Sequence, residues 1–89
     1  MSVWDDIADT AEEAENLRVR AEFMRAIRQE ISARDWSQAD AVEHLGLTQP
    51  RVSALVNGKI SQFRLDALVN IGAKLGVRAE VVSDRALAS

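Results

Sequence analysis

From Leu17 to Ile31 apolar residues recur at steps of three and four: Leu17, Ala21 and Met24 in one row, Phe23, Ile27 and Ile31 in the next. That spacing puts them on one stripe of a helix. Thr10-Ala11-Glu12-Glu13 has the form of a capping box, in which a hydroxyl takes an orphan backbone N–H and a Glu three residues on reaches back. Together these predict a first helix over 11–33, broken by Arg34-Asp35-Trp36. Ser37-Gln38-Ala39-Asp40 is a second such start, with Asp in place of Glu. Ala39, Val42 and Leu45 then share an apolar face, and Gly46 suits a left-handed C-terminal cap, giving a second helix over 38–45. Thr48 caps a third helix, with Pro50 in its first turn, where a missing N–H costs nothing. Its inward residues are Val52, Leu55 and Val56, and Asn57-Gly58 ends it. After a loop from Lys59 to Phe63, Leu65, Leu68, Val69 and Leu75 mark a fourth helix over 65–75, stopped by Gly76.

The last stretch changes period. Val77-Arg78-Ala79-Glu80-Val81-Val82 alternates in part and is β-branched, the pattern of a short strand. A lone strand is not stable in water, so it needs a partner chain or a local one. The expected architecture is all-α with a short C-terminal strand. It divides into an acidic segment over 1–16, a helical body over 17–76, and a strand and tail over 77–89.

Composition narrows the function. At 89 residues the chain has room for one core. It has no cysteine, hence no disulfide, thiolate metal site or cysteine nucleophile, and a single histidine, His44, cannot build a multi-histidine site. Asp5, Asp6 and Asp9 lack the spacing and glycine of a calcium loop. The serines have no base or oxyanion partner in view. No catalytic residue, cofactor or metal is expected. Nor is a single-strand nucleic-acid platform, with no tyrosine and few aromatics. His44 reads as a surface or partly packed residue, Trp36 and Phe63 as core, and Trp4 as either core or interface. No apolar run approaches the ~20 residues that span a membrane, and the first residues lack a signal-peptide pattern, so the expected place is the cytoplasm.

The net charge of −3 conceals a division. Residues 1–16 carry Asp5, Asp6, Asp9, Glu12, Glu13 and Glu15 with no basic residue, while residues 17–59 hold seven basic side chains against five acidic ones. A mildly basic body thus carries an acidic lead. Such basicity is too weak to indicate nucleic acid by itself.

The helix pair over 38–59 is more informative. Two short helices joined by a glycine-containing turn form either a plain helical hairpin or a DNA-reading helix-turn-helix. Ala41 is small enough for close approach, Gly46 permits the turn, and Val52 and Leu55 tie the second helix to the core. That leaves Gln49, Pro50, Arg51, Ser53 and Ala54 outward near its N-terminus, the end from which a recognition helix reads base edges. Amide to adenine, guanidinium to guanine and methyl to the thymine methyl are all sound pairings.

From Ser37-Gln38 through Thr48-Gln49 to Asn57-Gly58-Lys59 the chain resembles the Xre family, the Cro-type helix-turn-helix proteins of lambdoid phage repressors. The resemblance spans about residues 20–76. It implies a lambda-repressor-like, five-helix-type DNA-binding domain, with Gln38 bracing a phosphate and the first Gln of the recognition helix. It also implies base contacts at Gln49, Pro50, Ser53 and Ala54 and backbone contacts at Asn57, Lys59 and Arg64. Pro50 and Ala54 depart from the family's usual polar residues and offer apolar contact instead. With Arg51 added to the base readers and Thr48 to the backbone contacts, these are the expected site residues.

Val3-Trp4-Asp5-Asp6-Ile7-Ala8-Asp9-Thr10 and Thr48-Gln49-Pro50-Arg51-Val52-Ser53 are similar to a narrower group, small HigA-like antitoxins and regulators. This resemblance implies an antitoxin paired with a RelE/HigB-type toxin. The expected function is a repressor on double-stranded operator DNA, and since one such unit buries little surface on the duplex, a homodimer. The strand at 77–82 is the expected dimer seam. Residues 1–16 are expected either to contact a basic toxin or, through Trp4 and Ile7, to cover helix one of the same chain. The alternative is a protein-interaction module that neutralises a toxin without significant DNA binding.

Overall fold

The structure, a computed structural model, describes residues 3–81, with side chains from Thr10 onward. Its elements are α1 (Val3–Ala33), α2 (Gln38–Leu45), α3 (Gln49–Val56), a 3-10 turn (Ile60–Gln62) and α4 (Leu65–Ala73). The first helix starts well before the expected position, and Thr10 lies inside it rather than capping it. Once the core-facing half is helical, each further residue adds a backbone bond without a new nucleus. Alanines at 8, 11 and 14 favour that extension. Arg18 supports it by pairing with Glu15 and with Glu22, one turn to either side.

Asp35 ends α1 in the left-handed region, with φ 55°. Around it Asp35 N–H bonds the Ser32 carbonyl and Trp36 N–H bonds the Ile31 carbonyl. This closing pattern satisfies carbonyls the helix would otherwise leave bare. The second helix spans the expected residues. The Ser37 hydroxyl accepts the Asp40 N–H at 3.1 Å and the Asp40 carboxylate accepts the Ser37 N–H at 2.9 Å, so the capping box is complete. At its far end Gly46 has φ 66°, and the Lys74 ammonium donates to the Leu45 carbonyl at 2.7 Å.

One core serves all the helices. Phe23, Met24, Ile27 and Ile31 of α1 meet Ala41 and Leu45 of α2, Val52, Ala54 and Leu55 of α3, Phe63, and Leu68, Ile71 and Leu75 from α4 and the turn after it. No polar residue is buried among the described residues. A domain of this size is stable by roughly 4–12 kcal/mol, and truncating one buried leucine to alanine costs about 2–5 kcal/mol. A single core change therefore threatens the whole unit.

The pattern misassigned several faces. Leu17 and Val69 are 44% and 41% exposed, although both lie in apolar rows. Leu17 precedes the part of α1 that has anything to pack on. Val69 sits beside the Leu68, Ile71 and Leu75 stripe. Ala39 is exposed, and the inward alanine of α2 is Ala41, one turn before Leu45.

No strand forms over residues 77–81, and residue 82 lies outside the described residues. Val77 N–H bonds the Gly72 carbonyl at 2.8 Å, which turns the chain back onto α4, and among the described residues no second strand is present to ladder with. Four α-helices and a 3-10 turn make the described fold all-α.

Candidate nucleic-acid interface

Thr48 holds the start of α3. With extended backbone it accepts the Arg51 N–H on its hydroxyl at 3.4 Å, leaving Gln49 and Pro50 as the first two helical residues. Both are exposed. The Gln49 side-chain amide donates to the Gln38 side-chain carbonyl at 2.7 Å, so the first residues of α2 and α3 are tied across the turn. This bond fixes Gln49 without consuming it: its own carbonyl and one amide hydrogen stay available. Ser53, one turn on, is partly exposed and accepts from the Asn57 amide at 3.3 Å.

Two expected base readers are placed differently. Ala54 is only 4% exposed and belongs to the core, so its methyl is not on the outward face. The cause is periodicity. Ala54 sits between the buried Val52 and Leu55 on an eight-residue helix packed on both α2 and the 3-10 turn. Arg51 is engaged by the fold. It donates to the Gln62 carbonyl at 2.7 Å, and its guanidinium lies 4.2 Å from the centre of the Phe63 ring. A planar cation of this kind stacks well on an aromatic face. Arg51 thereby pins the segment after α3 to the first turn of α3.

The expected backbone contacts bracket the helix. Asn57, Lys59 and Arg64 are exposed and follow α3, while Thr48 and Gln38 stand at the opposite end. Lys59 N–H bonds the Ala54 carbonyl at 2.9 Å, fixing the turn that carries its side chain. Arg64 is the N-terminal cap residue of α4 and makes no side-chain capping bond.

Two supports were missed by spacing. Arg20 of α1 donates to the Ile60 and Phe63 carbonyls, each at 3.3 Å, and so holds the loop from across the core. Trp36 is partly buried: it packs against the edge of the core and stacks on His44, with ring centres 4.3 Å apart and planes within 5°. Both link residues from different elements, so no local pattern signals them. Among the described residues no helix is long and apolar enough to cross a membrane.

Comparisons agree with this geometry. Residues 6–83 match the family described as a helix-turn-helix domain. A solved structure named "Putative XRE Family Transcriptional Regulator" is 32% identical, with 80% of each chain covered and a TM-score of 0.72. None of the curated proteins matches. The chain belongs to the helix-turn-helix domain family, and within it to the XRE type.

Proposed function

We propose that this protein is a DNA-binding transcriptional regulator, a binding module without catalytic activity, that represses by occupying its operator as a two-fold dimer in the cytoplasm. The observation that carries the reading is the Gln38–Gln49 bond. It holds an exposed amide at the N-terminus of a capped, core-anchored helix, the place from which base edges are read. Gln49, Pro50 and Ser53 are the base-facing residues. Gln38, Thr48, Asn57, Lys59 and Arg64 position the duplex backbone. A dimer follows from the small surface that one such unit covers on DNA, with recognition helices set about 34 Å apart.

The test is binding to the DNA upstream of the protein's own gene against a scrambled duplex. Gln49→Ala should weaken the specific complex by about 1–3 kcal/mol and leave the scrambled one unchanged. An equal loss on both would show that Gln49 reads no base, and absence of binding by the wild type would overturn the reading. Sedimentation tests the dimer.

The antitoxin role is the finer reading. Its support is the resemblance of the sequence to HigA-like proteins and the exposure of every residue from Thr10 to Arg18, including Glu12, Glu13 and Glu15. RelE/HigB-type toxins act on RNA and present basic surfaces, which such a segment complements. Deleting residues 1–9 should abolish capture of the neighbouring gene's product at an unchanged melting temperature. A large fall in melting temperature would instead assign the segment to the fold.

A further inference from the structure

The four arginines of α1 and Arg34 just after it fall into two groups. Arg18 is paired with Glu15 and Glu22, Arg34 with Glu30, and Arg20 is bonded to loop carbonyls. Arg25 and Arg28 make no hydrogen bond or ion pair among the described residues. These two are the ones that line an open groove of about 450 Å³ between α1 and the helix-turn-helix. Gln29, Ile31 and Ser32 continue its α1 wall, while Trp36, Gln38 and Val56 form the other, so its floor is apolar and its charge comes from the two arginines alone; no carboxylate lines it. The groove thus runs from the first residue of α2 to the last residue of α3. Arg28 also reaches the turn after α3. A Cβ built on Gly58 would stand 3.1 Å from Arg28 Nη1, so the guanidinium lies against the backbone between Asn57 and Lys59. Gly58 has φ 71°, so both its conformation and the space above it suit glycine.

We propose that this groove seats the backbone phosphates of the bound duplex, with Arg28 and Arg25 as their cationic partners, so that α1 extends the DNA footprint. The inference rests on the DNA-binding reading above. Its logic is charge and continuity. A duplex strand passing Gln38 and Asn57 runs along the rim of the groove between them. There it meets two arginines that no acid neutralises, with Ser32 and Gln29 as further hydrogen-bond donors. Arginine suits the task because its fork of donors matches phosphate geometry.

Counterion release gives the readout. Each phosphate contact adds about 0.9 to the slope of log affinity against log salt. Between 50 and 200 mM salt, roughly 3.5-fold of the wild type's loss of affinity belongs to each contact and about 12-fold to two. The full chain is titrated by fluorescence anisotropy onto its own upstream duplex and a scrambled one across that range. Arg28→Gln should flatten the slope by about 0.9 on both duplexes, and Arg25→Gln with Arg28→Gln by about 1.8. Arg28→Lys should restore the slope, and the ion-paired Arg18→Gln should leave it alone. Circular-dichroism melting of each variant separates loss of contact from loss of fold. If Lys59→Ala flattens the slope and neither groove variant does, the groove holds no phosphate while the DNA-binding reading stands. An unchanged slope with loss of self-association would assign the groove to an acidic segment of a second copy and overturn the proposal. A wild type that binds no duplex would overturn both readings together.

Discussion

Arg51 separates two views of the third helix. Its position in the chain suggests a base reader; its surroundings make it a brace. Replacing it with methionine keeps most of the stem and removes the charge. The change deletes the 2.7 Å bond to the Gln62 carbonyl and the cation 4.2 Å from the Phe63 ring. A hydrogen bond from a charged group contributes about 1.5–3 kcal/mol, and a cation over an aromatic face about 0.5–2 kcal/mol. The two share one guanidinium that is partly exposed, so they do not add. A net loss of about 2 kcal/mol is expected.

For a domain of 60–100 residues each kcal/mol moves the melting temperature by about 4–8 °C, so Arg51→Met should melt roughly 8–16 °C lower. The ratio of specific to scrambled-DNA affinity, measured well below the melting point, should not change. Phe63→Leu provides a cycle: with Arg51→Met it should show a coupling energy of about 0.5–1 kcal/mol, since the two side chains touch. An unchanged melting temperature with a tenfold or greater loss of discrimination would refute the brace and restore Arg51 to the base readers.

Gly46→Ala should cost about 1–2 kcal/mol from backbone strain alone, because the added Cβ would stand an ordinary 3.7 Å from Lys74 Nζ; thermal melting reads it, and an unchanged melt would show that the turn relaxes. Lys74→Met removes the ammonium at the C-terminus of α2 and should cost about 1 kcal/mol, read the same way. The Asp40 carboxylate accepts the Ser37 backbone N–H, which holds its carboxyl below the usual aspartate range. Its contribution is therefore complete above that range and lost as the pH falls through the lowered value. The melting temperatures of the wild type and Asp40→Ala should differ near pH 7 and draw together as the pH falls below the usual aspartate range, and a constant difference would exclude the linkage.

Legibility in the sequence tracked the distance over which each cause acts. Ser37 with Asp40, Thr48, and Gly46 are local devices: each caps or turns the chain within three or four residues, and each was legible. The start of α1 was not, because a capping box marks a helix start only where the chain upstream is non-helical. At Thr10 the preceding residues propagate the helix instead. Over residues 77–81 the expected strand is absent for a related reason. Alternation supplies a pattern, but a ladder needs a partner, and Val77 bonds back to Gly72.

The site divides along the same line. Gln38 and Gln49 are eleven residues apart, yet a family pattern records their pairing, and the structure makes the bond. For Ala54 and Arg51, outward placement was inferred from one helix considered alone. An isolated eight-residue helix has an outward half, but α3 is packed on α2, on α1 and on the 3-10 turn. The extra contacts bury Ala54 and draw Arg51 onto Phe63. Arg20 and Arg28 show the converse. Counted along the chain they are two of several arginines on a charged helix. Only the folded molecule shows one holding the loop through two carbonyls and the other lying over Gly58. The surface around α3 is thus shaped in part from α1, whose Arg20 holds the following loop and whose Arg28 lies over Gly58, two contacts that neither the apolar rows nor the capping pattern of that helix announces.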